Sequence, residues 1–295
     1  MAPANEVSPP ERARLINEAY AGYYVPLHVT ADQVARIDQA FDADLPRSVV
    51  AFVGADPVGL ALLSRRGARG WIHSVGTLPA WRRYGIARAM LAQVIAAAAE
   101  AEVERLSLEV ITQNMPAYQL YQSLGFRPCR ELLTWSRTSD EDPLPIPRER
   151  LAPADPGALY DALASWQDQP PCWQREIESL KKMSGSLKGY RLSSDGRVSH
   201  RGLGRLLGHA EAARMDACCL VSGSDQGVSV MAVGMRPEGD ALTLGRVLLQ
   251  ALAAVYRGQT LSQLNVPADS ILCRVLAALR FRVTMRQFEM AAILG

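Results

Sequence analysis

The chain has 295 residues, of which 48% are hydrophobic and 21% are charged, and its formal net charge is +2 at pH 7. A chain of this size and composition can bury two cores of ordinary domain size. The charge is too small for a nucleic-acid footprint and no apolar run is long enough to span a membrane, so neither partner is expected. We expect a small-molecule or peptide partner.

The cysteines and histidines disfavour disulfide and metal frameworks. The five cysteines are an odd number without a Cys-x-x-Cys pair, and the four histidines show no ligand spacing. Charged residues interrupt the first thirty positions, so no signal peptide is predicted. We therefore expect a cytoplasmic protein without a metal. The strong preference for Arg over Lys is typical of a GC-rich bacterial genome.

The hydrophobic periodicity of the first half predicts the element order ααβββαβα. Two amphipathic helices, the second capped by Thr30, precede a meander of three strands. This order predicts an α+β fold with a mostly antiparallel sheet flanked by helices. The predicted elements are, in chain order, Glu11–Tyr24, Ala31–Phe41, Ser48–Val53, Val58–Ser64, Trp71–Thr77, Ile86 to about Glu104, Leu106–Ile111 and Met115–Leu124.

A domain boundary is predicted in the middle of the chain. The segment 140–150 contains three prolines and six charged residues, a composition that resists both helix and sheet. We therefore predict a first domain over 1–139, a linker over 140–150 and a second domain over 151–295.

A short Gly/Arg segment lies between the third predicted strand and the long helix. The first N–H groups of a helix lack intrahelical partners and attract anions, and glycine lets phosphate oxygens approach the backbone. Flanking arginines add charged hydrogen bonds. The segment therefore predicts a pyrophosphate site, the alternative being an ordinary loop with solvated arginines. Its residues are Arg82, Arg83, Tyr84, Gly85, Ile86 and Ala87.

A second motif follows on the last predicted helix of this half. It reads N-x-x-A-x-x-L-Y-x-x-x-G-F, from Asn114 to Phe126. Together with the R-x-x-G-x-A loop and the preceding elements, it resembles the acetyl-CoA site of the GNAT superfamily of N-acetyltransferases. The resemblance covers residues 10–137, and the substrate that it implies is acetyl-CoA as acyl donor.

The resemblance implies a role for each matching residue. The segment from Arg82 to Ala87 would bind the pyrophosphate, and the strand residues Val75, Gly76 and Thr77 would lie beside the pantetheine arm. Asn114 would contact the cofactor and Tyr121 would stand next to the sulfur. A free tyrosine titrates about 1.5 pKa units above a thiol, so full proton transfer to a thiolate would be unfavourable by roughly 2 kcal/mol. A hydrogen bond from Tyr121 to the departing sulfur is the better description.

The catalytic base is less clear from the pattern. Many GNAT members carry a carboxylate on the third strand, but Trp71–Thr77 contains none. His73 is the substitute on that strand, and a histidine in this place resembles the arylalkylamine acetyltransferases. The alternative is a strand histidine that is hydrogen-bonded to a neighbour. Glu109, on the next strand, is the second candidate for the base or for a contact to the substrate ammonium.

The second half resembles the first with its site residues replaced. Val233–Pro237 matches Val75–Pro79 at a shift of 233 − 75 = 158. In that register Asp240 and Thr243 stand in place of Arg82 and Gly85. Further on, once three residues are dropped and the shift becomes 281 − 126 = 155, Leu276 and Arg280 stand in place of Tyr121 and Gly125. This predicts a degenerate GNAT-like domain, the alternative being chance similarity within another fold.

The sequence thus predicts an N-acetyltransferase that moves an acetyl group from acetyl-CoA to a primary amine by direct attack. The alternative is a non-catalytic acyl-CoA-binding or regulatory module, which the missing strand carboxylate favours. The aromatic side chains of Tyr20, Tyr23 and Tyr24 are candidates to line the acceptor pocket.

Overall fold

The computed structural model describes residues 1–24, 27–138, 144–145, 147, 151–193, 215–224 and 227–295. Contacts divide the chain into two units. The first comprises Met1–Leu132 together with Arg286–Gly295, and the second comprises Leu133–Met285. Most of the predicted linker, 140–150, lies outside the described residues.

The first unit is a sheet with helices on both faces. Its strand order is β1-β2-β3-β4-β5-β12-β6. The pairs β1–β2, β2–β3, β3–β4 and β5–β12 are antiparallel, and the pair β4–β5 is parallel. The helices are α1 Pro9–Ala19, α2 Ala31–Ala40, α3 Ile86–Glu100 and α4 Met115–Ser123. The strands are β1 Ala2–Pro3, β2 Val49–Val53, β3 Asp56–Arg66, β4 Arg69–Thr77, β5 Arg105–Ile111, β6 Arg127–Arg137 and β12 Arg282–Ile293.

Alternation along the strands builds two cores in this unit. Leu60 and Leu62 of β3 pack with α1 and α2 on one face, whereas Leu63 packs with α3 on the opposite face. On β4 the same alternation sends Ile72 to the α3 face. Residues next to it on β4 therefore belong to the face that α1 and α2 cover, which fixes the side of the sheet on which the candidate base residues lie.

The C-terminal strand belongs to the first unit. Residues 287–293 of β12 pair with β5 from Gln287↔Ile111 to Ile293↔Arg105. Met290, with no exposed surface, joins the α3 core of the first unit. The second unit therefore ends at Met285, and the last ten residues belong to the first unit. The domain division predicted above, 1–139 and 151–295, stays a prediction.

Most predicted elements are present, with different ends. The α1 helix begins at Pro9 behind the N-cap Ser8 and stops at Ala19, earlier than predicted, because the chain turns at Gly22 with φ +70°. The α3 helix stops at Glu100 because Glu102 adopts φ +58°, which starts the turn into β5. Thr30 caps α2 in a capping box, as predicted.

The second unit has the same plan. Its strand order is β12-β6-β11-β10-β9-β8-β7, with β10 and β11 parallel. The predicted α+β fold with a mostly antiparallel sheet is confirmed. Throughout the described residues, every helix is too short or too polar to span a lipid bilayer. The helices of the second unit are α5 Tyr160–Ser165, α6 Ile177–Lys182, α7 Ala241–Val255 and α8 Ile271–Ala278. The remaining strands of the second unit are β7 Leu151–Ala154, β8 Leu187–Ser193, β9 Met215–Ser224, β10 Gly227–Met235 and β11 Leu261–Pro267.

Candidate active site

The two parallel strands of the first unit separate along their length. They pair from Arg69↔Arg105 to Trp71↔Ser107, and the structure gives no further pairing between them among the described residues. Beyond Trp71 the two strands leave an opening between their backbones. A sheet that opens in this way offers unpaired main-chain groups to an extended ligand.

A bulge in β4 lies at the edge of this opening. Ser74 and Val75 together oppose the single residue Ala61 of β3, and Ser74 adopts φ +52°. A bulge takes one residue out of the hydrogen-bonded ladder and redirects the following backbone. The predicted cofactor strand Val75–Thr77 therefore starts at an irregularity next to the opening.

Gly76 and Thr77 continue this edge of the site. A Cβ atom at Gly76 would lie 2.7 Å from the Cβ of Ala19, so the glycine allows α1 to pack closely on β4. The hydroxyl of Thr77 is buried and has no protein hydrogen-bond partner among the described residues. An orphaned polar atom of this kind fits a ligand that lies along β4.

The predicted pyrophosphate loop ends at an uncapped helix. Gly85 is the N-cap of α3, adopts φ +81°, and has no side-chain cap, and the first turn contains no acidic residue. A Cβ atom at Gly85 would meet nothing within 4 Å, so the backbone is open to solvent. Arg83 also adopts a positive φ, of +71°. The first N–H groups of α3 are thus available to an anion, which fits the predicted role.

The other loop side chains differ in what they contact. Arg82 donates to the carbonyl of Ala19 at 2.9 Å and to that of Thr77 at 3.3 Å, so it fastens the loop to α1 and β4. Tyr84 is 75% exposed. Since the Arg82 guanidinium is used within the protein, Arg83 is better placed to supply charge to a phosphate.

Three tyrosines connect the end of α1 to both sides of the opening. Tyr20, Tyr23 and Tyr24 stack edge to face, with ring centroids 5.0 Å and 5.1 Å apart. The Tyr20 hydroxyl donates to the carbonyl of Val75 at 3.1 Å, and the Tyr24 hydroxyl donates to that of Gln113 at 3.1 Å. The predicted pocket-lining tyrosines therefore contact β4 on one side and the loop before α4 on the other.

Asn114 has a structural role that the motif alone did not show. Its Oδ1 accepts from the N–H of Ala117 at 3.3 Å and caps α4, while its Nδ2 donates to the Tyr23 hydroxyl at 3.0 Å. Both ends of the side chain are engaged within the protein. A contact from Asn114 to a cofactor stays a prediction.

Tyr121 lies beneath the tyrosine cluster. Its ring is buried and packs edge-on to Phe126, with centroids 6.3 Å apart. Burial raises the pKa of Tyr121 above its ordinary value, and the neighbouring Tyr23 hydroxyl raises it further. Burial likewise raises the pKa of Tyr20, with Tyr121 as the next contributor. Tyr121 is therefore a hydrogen-bond donor that keeps its proton.

The surroundings of His73 do not suit a base. The ring stacks on Trp71 at 4.6 Å, its Nε2 lies 3.1 Å from the hydroxyl of Ser64, and its Nδ1 lies 3.0 Å from that of Ser74. Burial, followed by the positive charge of Arg12, lowers the pKa of His73 to about 3. A general base works best when its pKa is near the working pH. The geometry thus favours the alternative of a hydrogen-bonded strand histidine.

Glu109 is accompanied by a carboxylate from the far end of the chain. The Trp71 indole N–H donates to Glu109 Oε2 at 2.8 Å. Directly opposite on β12 stands Glu289, which forms an ion pair with Arg130. Both glutamates occupy the face of the sheet that α1 and α2 cover, since Leu108 next to Glu109 packs on the opposite side. Sequence reasoning missed Glu289 because no local motif marks it.

The corresponding helix of the second unit is capped by the protein itself. The Asp240 carboxylate accepts from the N–H of Leu242 at 3.1 Å and from the hydroxyl of Thr243 at 2.6 Å. The Thr243 hydrogen bond holds the pKa of Asp240 below its ordinary value, so a negative charge already occupies this helix terminus.

The burial pattern shows how this difference arises. Met90 and Leu248 are both fully buried and match at the predicted shift of 158. Met90 lies four residues after the start of α3, whereas Leu248 lies seven residues after the start of α7. The α7 helix thus has about one more N-terminal turn, which includes Thr243 at the position of Gly85.

Comparison with known proteins relates the first half to one family. Residues 13–126 match the profile of the Acetyltransferase (GNAT) family. The match covers less than half of the chain, and over these residues the chain is similar to that family. A search among curated proteins gave no match.

Solved structures extend the GNAT fold over the whole chain. A GCN5-related N-acetyltransferase from Sphaerobacter thermophilus is 16% identical, with a TM-score of 0.68 and coverage of 100% of this chain and 94% of its own. A tandem GNAT protein from the clavulanic acid biosynthesis pathway is 15% identical, with a TM-score of 0.67 and coverage of 100% and 97%. A putative acetyltransferase from Pyrococcus horikoshii is 13% identical, with a TM-score of 0.64 and coverage of 97% and 87%. The predicted tandem GNAT fold is confirmed.

Proposed function

We propose that the first half transfers an acetyl group from acetyl-CoA to a primary amine by direct attack of the amine on the thioester. The observation that carries this proposal is the uncapped N-terminus of α3 at Gly85, close in sequence to the opening between β4 and β5. The family description supports acyl transfer, and the geometry supports a ligand with a phosphate end and an extended arm.

Acetyl-CoA fits the residues present along this path. The amides at Gly85, Ile86 and Ala87 would hold the pyrophosphate, with charge from Arg83. The pantetheine arm would run along Val75–Thr77, where the Thr77 hydroxyl lacks a protein partner. The thioester would then reach the level of Tyr121.

The reaction consists of three chemical changes. The amine nitrogen forms a bond to the acetyl carbon, the carbon–sulfur bond breaks, and the amine loses a proton. Tyr121 donates a hydrogen bond to the departing thiolate, which it stabilises without giving up its proton. Holding both reactants in line supplies the remaining acceleration, and no covalent enzyme intermediate is required.

Glu109 takes the amine proton, directly or through water. Glu109 lies on β5, one of the two parallel strands, and its carboxylate is on the face of the sheet that α1 and α2 cover. The Trp71 indole N–H orients this carboxylate. The two hydroxyl partners and the low pKa of His73 support Glu109 over His73 in this role. The acceptor would enter next to the tyrosines of α1.

The reaction belongs in the cytoplasm under this proposal, where acetyl-CoA is available. No disulfide joins the five cysteines, all of which are described. Within the described residues, no three His, Cys, Asp or Glu side chains come together as a metal site requires. The acceptor class is a small-molecule or peptide amine.

Calorimetric titration with acetyl-CoA and a thiol-release assay with a panel of amines test the proposal together. Wild type should bind acetyl-CoA and release thiol, while Gly85→Thr should lose binding because a β-branched residue is strained at φ +81° and obstructs the phosphate. Gly258→Thr is the matched control, since Gly258 has φ +85° and equally open surroundings in the second half. Binding without turnover of any amine would favour a non-catalytic acyl-CoA-binding module, and equal binding by both variants would remove the loop from the site.

A further inference from the structure

The second half keeps the opening between its parallel strands although it has lost the phosphate loop. The strands β10 and β11 pair at Val228↔Leu261 and Ser229↔Ser262 and then separate. A cleft of about 50 Å³ lies beyond this point, lined by residues that include Trp166, Asp168, Arg175, Met231, Gln263 and Ser270. Since one water occupies about 10–15 Å³ on this scale, the cleft has room for a ligand of roughly three to five heavy atoms.

Arg175 places a partly unpartnered cation in this cleft. Its side chain is 7% exposed, and its Nη1 donates to the carbonyls of Val230 at 2.7 Å and Met231 at 2.6 Å. Its Nη2 is buried and has no partner among the described residues. Burial lowers the pKa of Arg175 to about 10, so the guanidinium remains charged at neutral pH.

Gln263 places an unpartnered acceptor in the same cleft. Its side chain is 4% exposed, and its Oε1 is buried without a hydrogen-bond partner among the described residues. Buried polar groups are normally satisfied, and one that is not marks the place of a missing partner. A donor and an acceptor that both lack partners therefore line one small space.

The carboxylate that lines the cleft is already engaged elsewhere. Asp168 accepts from the hydroxyl of Ser270 at 2.9 Å and from the N–H of Ile271 at 2.5 Å, so it caps α8. Its oxygens are directed to that helix terminus, and the buried Nη2 of Arg175 gains no hydrogen bond from them. An anionic oxygen from a ligand would supply what Arg175 lacks.

We propose that this cleft binds a small carboxylate that carries a hydrogen-bond donor on the adjacent carbon, the chemistry of glycolate or glycine. The carboxylate would accept from Arg175 Nη2, and the hydroxyl or ammonium would donate to Gln263 Oε1. The site is independent of acetyl transfer in the first half, and it gives the degenerate half a ligand of its own.

Calorimetry or ligand-detected NMR on the full chain, saturated with coenzyme A to fill the anion site of the first half, tests this proposal. Glycolate or glycine should bind saturably at millimolar concentration. Acetate, which lacks the donor on the adjacent carbon, and acetamide, which lacks both the carboxylate and that donor, should bind at least about tenfold more weakly, a factor worth one well-made hydrogen bond.

Two variants locate the binding. Gln263→Leu should weaken glycolate at least about tenfold while leaving acetate unchanged, and Arg175→Met should weaken both. Arg257→Met, which removes an exposed arginine of the same unit outside the cleft, should change neither. The proposal is overturned if wild type shows no saturable binding of either probe, or if Gln263→Leu binds glycolate like wild type. The second criterion stands even if Arg175→Met does not fold.

Discussion

Glu109 and Glu289 stand directly opposite each other on neighbouring antiparallel strands, β5 and β12. Like charges in this arrangement destabilise a sheet unless a cation or a function compensates. Arg130 pairs with Glu289, and the Trp71 indole holds Glu109. Glu109 and Glu289 therefore form an acidic patch on the face covered by α1 and α2. Such a patch would suit an amine substrate.

Glu109→Gln should lower kcat by about 10²-fold or more, because the amide cannot accept the amine proton, while the affinity for acetyl-CoA stays unchanged. Steady-state kinetics against pH, together with calorimetry, measure this. Glu131→Gln, which alters a surface glutamate paired with Arg286, is the control and should behave like wild type. Wild-type turnover by Glu109→Gln would assign the base elsewhere.

Tyr121→Phe should lower kcat by about 10²-fold or more with little change in acetyl-CoA affinity, because only the hydrogen bond to the departing thiolate is lost. Tyr118→Phe serves as the control on the same helix, where the Tyr118 hydroxyl accepts from Gln122 at 3.2 Å. Equal rates for both variants would show that the Tyr121 hydroxyl contributes only packing.

His73 should make the free energy of unfolding depend on pH, and it should not affect the pH dependence of the rate. Its pKa is about 3 in the folded protein, whereas an unfolded histidine titrates near about 6.5. The unfolded chain therefore binds a proton that the folded chain does not, and the free energy of unfolding falls as pH drops from about 6.5 towards 3. The shift corresponds to a loss on the order of 5 kcal/mol over that window.

Chemical denaturation of wild type and His73→Gln in steps of about one pH unit, from about pH 8 down to about pH 4, would measure this effect. The stability advantage of wild type should shrink as pH falls. The exposed His28→Gln is the control. A shifted pH–rate profile in active His73→Gln would instead restore this histidine as the base.

Each chain should bind one acetyl-CoA, because the second helix terminus already carries the Asp240 carboxylate and an additional turn. A penalty of only 1.4 kcal/mol weakens binding about tenfold, and a carboxylate beside a pyrophosphate should cost more than that. Calorimetric stoichiometry decides the matter. A value of two per chain contradicts it.

Met290→Ala should lower the free energy of unfolding by about 2–5 kcal/mol, because a fully buried side chain leaves a cavity in the first unit. Ile293→Ala, at a position 73% exposed on the same strand, should change the free energy of unfolding by less than about 0.5 kcal/mol.

Residues 1–140 alone should be poorly soluble or inactive, because they lack the strand that supplies Met290 to the core of the first unit. Attaching residues 286–295 through a flexible linker should improve both solubility and activity.

The part of the fold set by local pattern was predictable from sequence. The periodicity of α3, the capping residue Thr30 and the turn at Gly125 depend on neighbours a few positions apart, and the structure has all three. The loop for which a pyrophosphate is proposed could be located for the same reason. Its special residue, Gly85, sits at a helix start that the sequence itself marks.

The parts that depend on distant residues were not predictable. Nothing near Glu289 indicates that it lies opposite Glu109, because strand partners are chosen by the assembled sheet. The low pKa of His73 comes from burial and from the positive charge of Arg12, neither of which a strand pattern reveals. The membership of the C-terminal strand in the first unit likewise depends on distant residues.

The pairing of β12 with β5 also sets an order of events during synthesis. Domains made earlier usually fold before those that follow. Here the sheet of the proposed catalytic half lacks the strand that pairs with β5 at Glu109 until residues 287–293 have left the ribosome. A truncated chain that stops before β12 would display an open strand edge and an incomplete acidic site, so acetylation would be confined to chains translated through to that strand.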